Sequence, residues 1–277
     1  MPPLLLTILI AAAACAFAWI ASLATGDTSW VDRMWSIVPV IYVWVFAAYA
    51  HLDNPRLDVM AALVTGWGVR LTFNFARKGG YSGVEDYRWA VLRSRMRPWQ
   101  FQLFNVFFIV LYQNAILVLI TLPAYSAYDD RSRTPFGALD VVLAALFLLA
   151  TVFETIADEQ QWNFQSEKQA RLARGEHASE RFCTTGLFRY SRHPNYFFEV
   201  AQWWLLFLFG AVAAHSLWQW TVLGAVLLTL LFVGSTSFTE DITLSKYPEY
   251  ADYQRRTSAV VPWFAKHAPA PSSVTAP

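Results

Sequence analysis

Arginines, a histidine, a proline and an asparagine crowd into "FRYSRHPNYFFE" (Phe188–Glu199), directly ahead of an apolar run. Pro194 favours an extended residue before it and is tolerated in a first helical turn, so Arg189, Arg192, His193 and Asn195 project from a loop and a helix start. Free N–H groups and the positive end of the helix dipole attract anions at such a place. With Arg181 ahead of them they form a phosphate cradle at a membrane surface. Contact with lipid headgroups is the competing reading, and the presence of His193, Asn195 and Tyr196 argues against charge alone.

Polar groups inside apolar runs are the second source of chemistry, because they are costly there and mark function by default. Arg70 and Asn74 lie one helical turn apart and share a face. Gln113 and Asn114 sit midway along another run, and Glu199 and Gln202 share a face of a third. Interhelical hydrogen bonding is the plain alternative for each, worth about 0.6–2 kcal/mol per contact. A third element, "EDITLSKYPEYADYQRRTSAVVPWF" (Glu240–Phe264), runs from two acids through Tyr247, Tyr250 and Tyr253 to Arg255 and Arg256, then to an apolar end suited to a membrane surface. Its aromatic and basic content suits either a surface amphipathic segment or a nucleotide.

The elements that must position these residues are membrane spans. Of 277 residues 56% are hydrophobic and only 15% charged, against about 25% charged in ordinary soluble domains. About twenty apolar residues cross a bilayer as a helix, and seven such windows occur near Leu4–Thr25, Met34–Ala50, Val59–Phe75, Phe101–Tyr125, Phe136–Ala157, Tyr196–His215 and Leu217–Phe238. The fold class is therefore an all-α integral membrane protein of seven transmembrane helices. The first window has no basic residue before it and exceeds a signal-peptide core, so it reads as a retained span.

Lys and Arg accumulate on the cytoplasmic side of short loops. Arg77, Lys78, Arg88, Arg93, Arg95 and Arg97 follow the third window, and Lys168, Arg171, Arg174, Arg181, Arg189 and Arg192 follow the fifth; the opposite loops hold only Arg56, Arg131 and Arg133. The amino terminus is then outside and the carboxyl terminus cytoplasmic, which also places "GDTSWVDRMW" (Gly26–Trp35) on the cytoplasmic side. Residues 1–267 read as a single domain, and 268–277, rich in Pro, Ala and Ser, as a disordered tail. The polar stretch Glu159–Ala178 has good helix formers and extends the fifth span into the cytosol.

Several classes are excluded. A net charge of +1 without a basic stripe speaks against nucleic acid. Histidines at 51, 177, 193, 215 and 267 lack ligand spacing, so no metal is expected. Cys15 and Cys183 read as free thiols. No G-x-G-x-x-G after a strand, P-loop or G-x-S-x-G is present, so a dinucleotide is not held in a Rossmann unit and serine hydrolysis is not expected.

The combination of "DEQQWNFQSEK" (Asp158–Lys168), "GLFRYSRHPNYFFE" (Gly186–Glu199) and "YADYQRRTSAVVPWF" (Tyr250–Phe264) resembles the steroid 5α-reductase family, in particular its bacterial members. The likeness runs from the second span onward and is most specific in the last third. It implies a seven-helix bundle in the bacterial inner membrane that holds NADPH from the cytoplasmic side and reduces the carbon–carbon double bond of a 3-oxo-4-ene steroid or another lipid enone. Arg181, Asn195 and Tyr196 match cofactor positions of that family, and Arg70 matches an arginine of its third span. Asn74, Asp158, Lys168, Arg189, Arg192, His193, Glu199 and Tyr250, which stand in the same polar clusters and segments, are also assigned to the cofactor. Asp241 and Lys246 lie where the animal enzymes place nucleotide contacts, although the spacing differs. The glutamate that contacts the substrate ketone has Asp32 as its nearest match. The partner tyrosine of the third span is replaced by Trp67, and Tyr87 is the substitute donor. Lipid is the expected surrounding, and a monomer the expected state.

Such a reduction proceeds only if charge developing on the ketone oxygen is met by a hydrogen-bond donor. Asp32 must carry its proton to be that donor; ionised, it orients another. "RHPNY" with the tail "YADYQRR" also resembles membrane methyltransferases that modify isoprenylcysteine or phospholipids with S-adenosylmethionine. That reading stands as the alternative. A transporter is a third class, and the inverted repeat it would carry is not visible.

Overall fold

The structure, a computed structural model, describes residues 1–176 and 181–265. The tail expected at 268–277 lies outside them. Among the described residues there is no strand, only an isolated parallel bridge between Ser191 and Ser258. In chain order the helices are α1 (Pro3–Thr25), α2 (Trp30–Met34), α3 (Val38–Tyr49), α4 (Pro55–Arg77), α5 (Tyr87–Arg95) and α6 (Pro98–Phe104). A π-helical stretch (Asn105–Tyr112) leads into α7 (Gln113–Leu119), α8 (Leu122–Asp129) and α9 (Ala138–Ala173), and a 3₁₀ turn (Gly186–Arg189) precedes α10 (Pro194–Ala214), α11 (Val222–Lys246) and α12 (Tyr250–Arg256).

Seven of these segments are long and apolar enough to cross a bilayer: α1, α2 with α3, α4, α6 through α8, α9, α10 and α11. Their outward faces carry exposed large apolar residues, such as Leu146, Leu148, Leu149 and Val152 on α9, a pattern compatible with helices that face lipid. Prolines open most spans, at Pro3, Pro55, Pro98 and Pro194, where the missing N–H is harmless. Asn54 caps α4 by accepting from the Leu57 N–H at 3.1 Å.

Several boundaries differ from those expected of the sequence: the third span starts at Pro55 and not Val59, and the last runs Val222–Lys246 and not Leu217–Phe238. The second span starts at Trp30 and not Met34, so Asp32 belongs to its first turn. The fourth continues to Asp129 but breaks between α7 and α8, where Pro123 stands in the first turn of α8 and cannot continue the ladder from α7. The fifth span extends as expected. At 36 residues, α9 is about 54 Å long, well beyond a hydrocarbon core of about 30 Å.

The chain divides into two compact units: Met1–Thr151 with Val200–Leu231, and Val152–Glu199 with Phe232–Pro277. In the first, α3 packs on α4, α1 and α8. Two glycines permit close backbone approach to the break: a Cβ on Gly224 would lie 2.3 Å from the Leu119 carbonyl oxygen, and one on Gly210 2.8 Å from that of Pro123. Arg56 is fully buried, forked onto Asp140 at 2.6 and 2.9 Å, and donates to the Thr134 and Pro135 carbonyls that precede α9. In the second unit Ala157, Cys183 and Phe188 form a small core with Phe164 and Leu187.

Candidate functional site

Every residue from Asp158 onward that the sequence assigns to the cofactor falls in the second unit. Its polar centre is Glu240, near the end of α11. The carboxylate accepts from Arg192 Nε (2.6 Å) and Nη2 (2.9 Å), His193 Nε2 (3.0 Å), Gln254 Nε2 (2.9 Å) and the Tyr250 hydroxyl (3.2 Å). Arg192 Nη1 also donates to the carbonyls of Gln254, at 3.0 Å, and Thr257. Burial pulls the Arg192 pKa down, but Glu240 outweighs it and leaves the guanidinium above its ordinary value. Burial and the same carboxylate push the Tyr250 phenol up, so it stays neutral. Arg192, His193 and Tyr250 are thus committed to a structural junction.

That junction is closed by the chain end. Arg192 N–H donates to Ser258 O at 2.8 Å, His193 N–H to Ala259 O at 3.0 Å, and Trp263 N–H to Tyr190 O at 2.9 Å. Ser191 Oγ reaches Val260 O at 2.7 Å, and the Tyr253 hydroxyl donates to Phe188 O. Residues 257–263 therefore strap the loop that opens α10. His193 stacks on Tyr196 at 5.0 Å, and Tyr196 meets Phe232 edge-on at 4.8 Å.

Around this core lie the remaining candidates. Asn195 Nδ2 contacts Asp158 Oδ1 at 3.4 Å, with Asp158 buried; Glu199 is buried as well. Gln160, two residues on, accepts the Leu187 N–H at 2.8 Å. Gly186 has φ +61°, a left-handed conformation that favours glycine, and the end of the Gln160 side chain lies where a Cβ would stand. Lys168 Nζ donates to Arg181 O at 2.8 Å and to the Tyr247 hydroxyl at 3.3 Å. Arg189, Asp241 and Lys246 are exposed. Thr236 and Thr239, on α11, bury hydroxyl oxygens that have no hydrogen-bond partner among the described residues.

The other candidates lie in the first unit. Asp32 accepts the indole N–H of Trp89 on Oδ2 at 2.9 Å. Its surroundings are held by two loops that zip together. Thr28 N–H and hydroxyl donate to Glu85 at 3.0 and 2.8 Å, Asp86 N–H to Ser29 Oγ at 3.0 Å, and Arg33 Nε to Gly80 O at 2.9 Å. Arg93 forks onto Glu85 at 2.6 and 3.0 Å. Burial pushes the Glu85 carboxyl up, but Arg93 and Thr28 outweigh it and hold it below the ordinary range. Tyr87 is half exposed, at 50%. Trp67 is fully buried, edge-on to Trp203 at 4.8 Å. Asn74, buried on α4, accepts from Arg77 Nε at 3.0 Å, and Arg70 lies one turn before it, partly buried.

Three positioning groups stand outside the set expected of the sequence. Glu240 is visible there as an acid at the end of the last span, but nothing local ranks it above its neighbour Asp241. Gln254 and Trp89 carry no signal of their own. Among the described residues no group of three His, Cys, Asp or Glu side chains is placed to hold a metal.

Residues 18–257 match the model of a family described as "Protein of unknown function (DUF1295)". The chain belongs to the DUF1295 family. It is also similar to an uncharacterized protein of Schizosaccharomyces pombe, 38% identical over 264 residues, covering 88% of this chain and 75% of that one. No solved structure matches it.

Proposed function

We propose that this DUF1295 protein is an NADPH-dependent reductase of the 4,5 double bond of 3-oxo-4-ene steroids, testosterone and progesterone among them. One observation carries the reading: the three segments that carry the steroid 5α-reductase resemblance converge in the second unit. Asp158 meets Asn195, Lys168 meets Arg181, and Tyr250 and the strap at 257–263 meet the Arg192–His193 loop. DUF1295 is a family that includes steroid 5α-reductase-like proteins, which supports the same assignment.

The donor set fits a dinucleotide. Lys168 and Arg181 suit its phosphates, the Asn195 amide and the unpartnered Thr236 and Thr239 hydroxyls suit its amide and sugar groups, and Tyr196 offers an aromatic edge. Arg192 and His193 act as positioning residues, holding the α10 entrance through Glu240. NADPH, when bound, supplies a hydride to the carbon β to the ketone. Asp32 is given the ketone oxygen, its carboxyl oriented by the Trp89 indole N–H, and Tyr87 the part of second donor. The reading takes the cofactor residues to face the cytoplasm across a bacterial inner membrane, which the basic loops between the spans support.

Purified protein in detergent, given NADPH and testosterone or progesterone, is expected to oxidise NADPH in step with formation of the saturated ketone and without S-adenosylmethionine. Asp32→Leu should abolish turnover while NADPH still binds. Methyl transfer from S-adenosylmethionine, or no steroid-dependent NADPH oxidation, overturns the reading.

A further inference from the structure

Two cations of the second unit share one aromatic ring. Lys168 Nζ lies 5.0 Å and the Arg181 guanidinium 5.5 Å from the Tyr247 ring centroid. Like charges gathered on one ring repel unless an anion stands with them. Here that anion is Glu249, whose Oε1 is 3.3 Å from Arg181 Nε. Among the described residues Lys168 has no carboxylate at ion-pair distance; its donors go to the Arg181 carbonyl and the Tyr247 hydroxyl. Two cations with one acid leave a local excess of positive charge.

The acid is loosely held. Arg181 and Glu249 are 53% and 47% exposed, and ion pairs that open to water add little net stability. Glu249 stands just ahead of α12, two residues after Tyr247, so a side-chain rotation alone moves it away. A phosphomonoester carries about −1.5 to −2 charges and three strong acceptor oxygens, and a guanidinium binds it through forked, charge-assisted hydrogen bonds. It therefore outcompetes a single carboxylate for this cluster.

We propose that Lys168, Arg181 and Tyr247 form a phosphomonoester subsite whose resident counter-ion, Glu249, swings out when the phosphate enters, and that this exchange sets a preference for a 2′-phosphorylated dinucleotide. Assigning the phosphate to a dinucleotide rests on the reductase reading. A phosphatidic acid headgroup offers the same chemistry.

The test is calorimetric titration of the full-length protein in phosphatidylcholine nanodiscs with adenosine 2′-monophosphate, and with adenosine as the unphosphorylated control. The phosphorylated compound should bind more tightly. Glu249→Gln should tighten it about three- to fivefold, and Arg181→Gln or Lys168→Gln should weaken it about tenfold, with adenosine unmoved and melting temperatures unchanged in all three. Equal affinity for both compounds, or a Glu249→Gln protein that binds no more tightly, overturns the subsite. Loss of nucleotide binding on adding phosphatidic acid to the discs assigns the cluster to a lipid headgroup and overturns the nucleotide. The two readings fail separately. Phosphate-dependent binding without enone reduction keeps the subsite and removes the reductase. Reduction supported equally by NADH and NADPH, with Glu249→Gln leaving that ratio unchanged, keeps the reductase and removes the subsite.

Discussion

Glu240 accepts from four side chains while its own side chain and that of Arg192 are 8% and 9% exposed. A buried pair of this kind is costly to break, because deletion of one partner strands the other charge away from water. Glu240→Ala should therefore cost about 3–5 kcal/mol and lower the melting temperature in detergent by roughly 10 °C. Glu240→Gln should cost less, since an amide oxygen still accepts. An unchanged melt in the alanine variant would mean that the loop before α10 is held by the strap alone. Glu85 allows a test of sign. Its folded pKa lies below the ordinary 4.5, so its contribution is present above that pH and is lost as pH falls through the lowered folded value. In a series of melts below about pH 4.5 the wild type should lose stability faster than Glu85→Gln, and above it the wild type should be the more stable. Parallel curves would remove Glu85 from the account.

Helix packing at the α7–α8 break depends on missing side chains. Gly224 and Gly210 meet backbone atoms that cannot move aside as a flexible side chain would, the small-residue contact by which helices approach closely in lipid. Gly224→Leu should fail to purify as a monodisperse species, and Gly224→Ala should melt lower. Gly66, on α4, faces open space, with no atom within 4 Å of where a Cβ would stand, and Gly66→Ala should be neutral or up to about 1 kcal/mol stabilising. Size-exclusion profiles and melts of the three variants decide it. These contacts are not legible in the sequence, where Gly224 is one small residue in an apolar run. What is legible is local. The seven windows follow from composition, the helix starts from Pro3, Pro55, Pro98 and Pro194, and the extension of α9 from helix formers such as Glu159 and Gln160. The fourth window runs straight through Pro123, because hydropathy does not register a missing N–H. The candidate site shows the same division. Asn195 and Arg181 stand out within one segment, but Asp32 and Trp89 are 57 residues apart, and Arg192 and Glu240 are 48 apart; nothing local announces either pair.

For the whole molecule, seven helices are long and apolar enough to cross a membrane, and the charge of the connecting loops predicts an outside amino terminus and a cytoplasmic carboxyl terminus. Arg77 ends α4 and five more Lys and Arg residues follow it up to position 97, whereas the opposite connections hold only Arg56, Arg131 and Arg133. Lys and Arg hold short loops in the cytoplasm. The length of α9 agrees with that choice: its last turns pass beyond a bilayer core and bear Lys168 and Arg171, with Arg174 just after its end. In bacterial cells a green fluorescent protein fused at the carboxyl terminus should therefore fluoresce, and an alkaline phosphatase fused there should be inactive. With Cys15 and Cys183 replaced by serine, a cysteine at Arg174 should react with a membrane-impermeant maleimide only after the cells are opened, and one at Leu52, exposed between α3 and α4, should react in intact cells. The reverse pattern would turn the molecule over. It would place Lys168, Arg181 and Asn195 in the periplasm, where no NADPH pool serves them, and would remove the proposed reductase even if the fold stands unchanged.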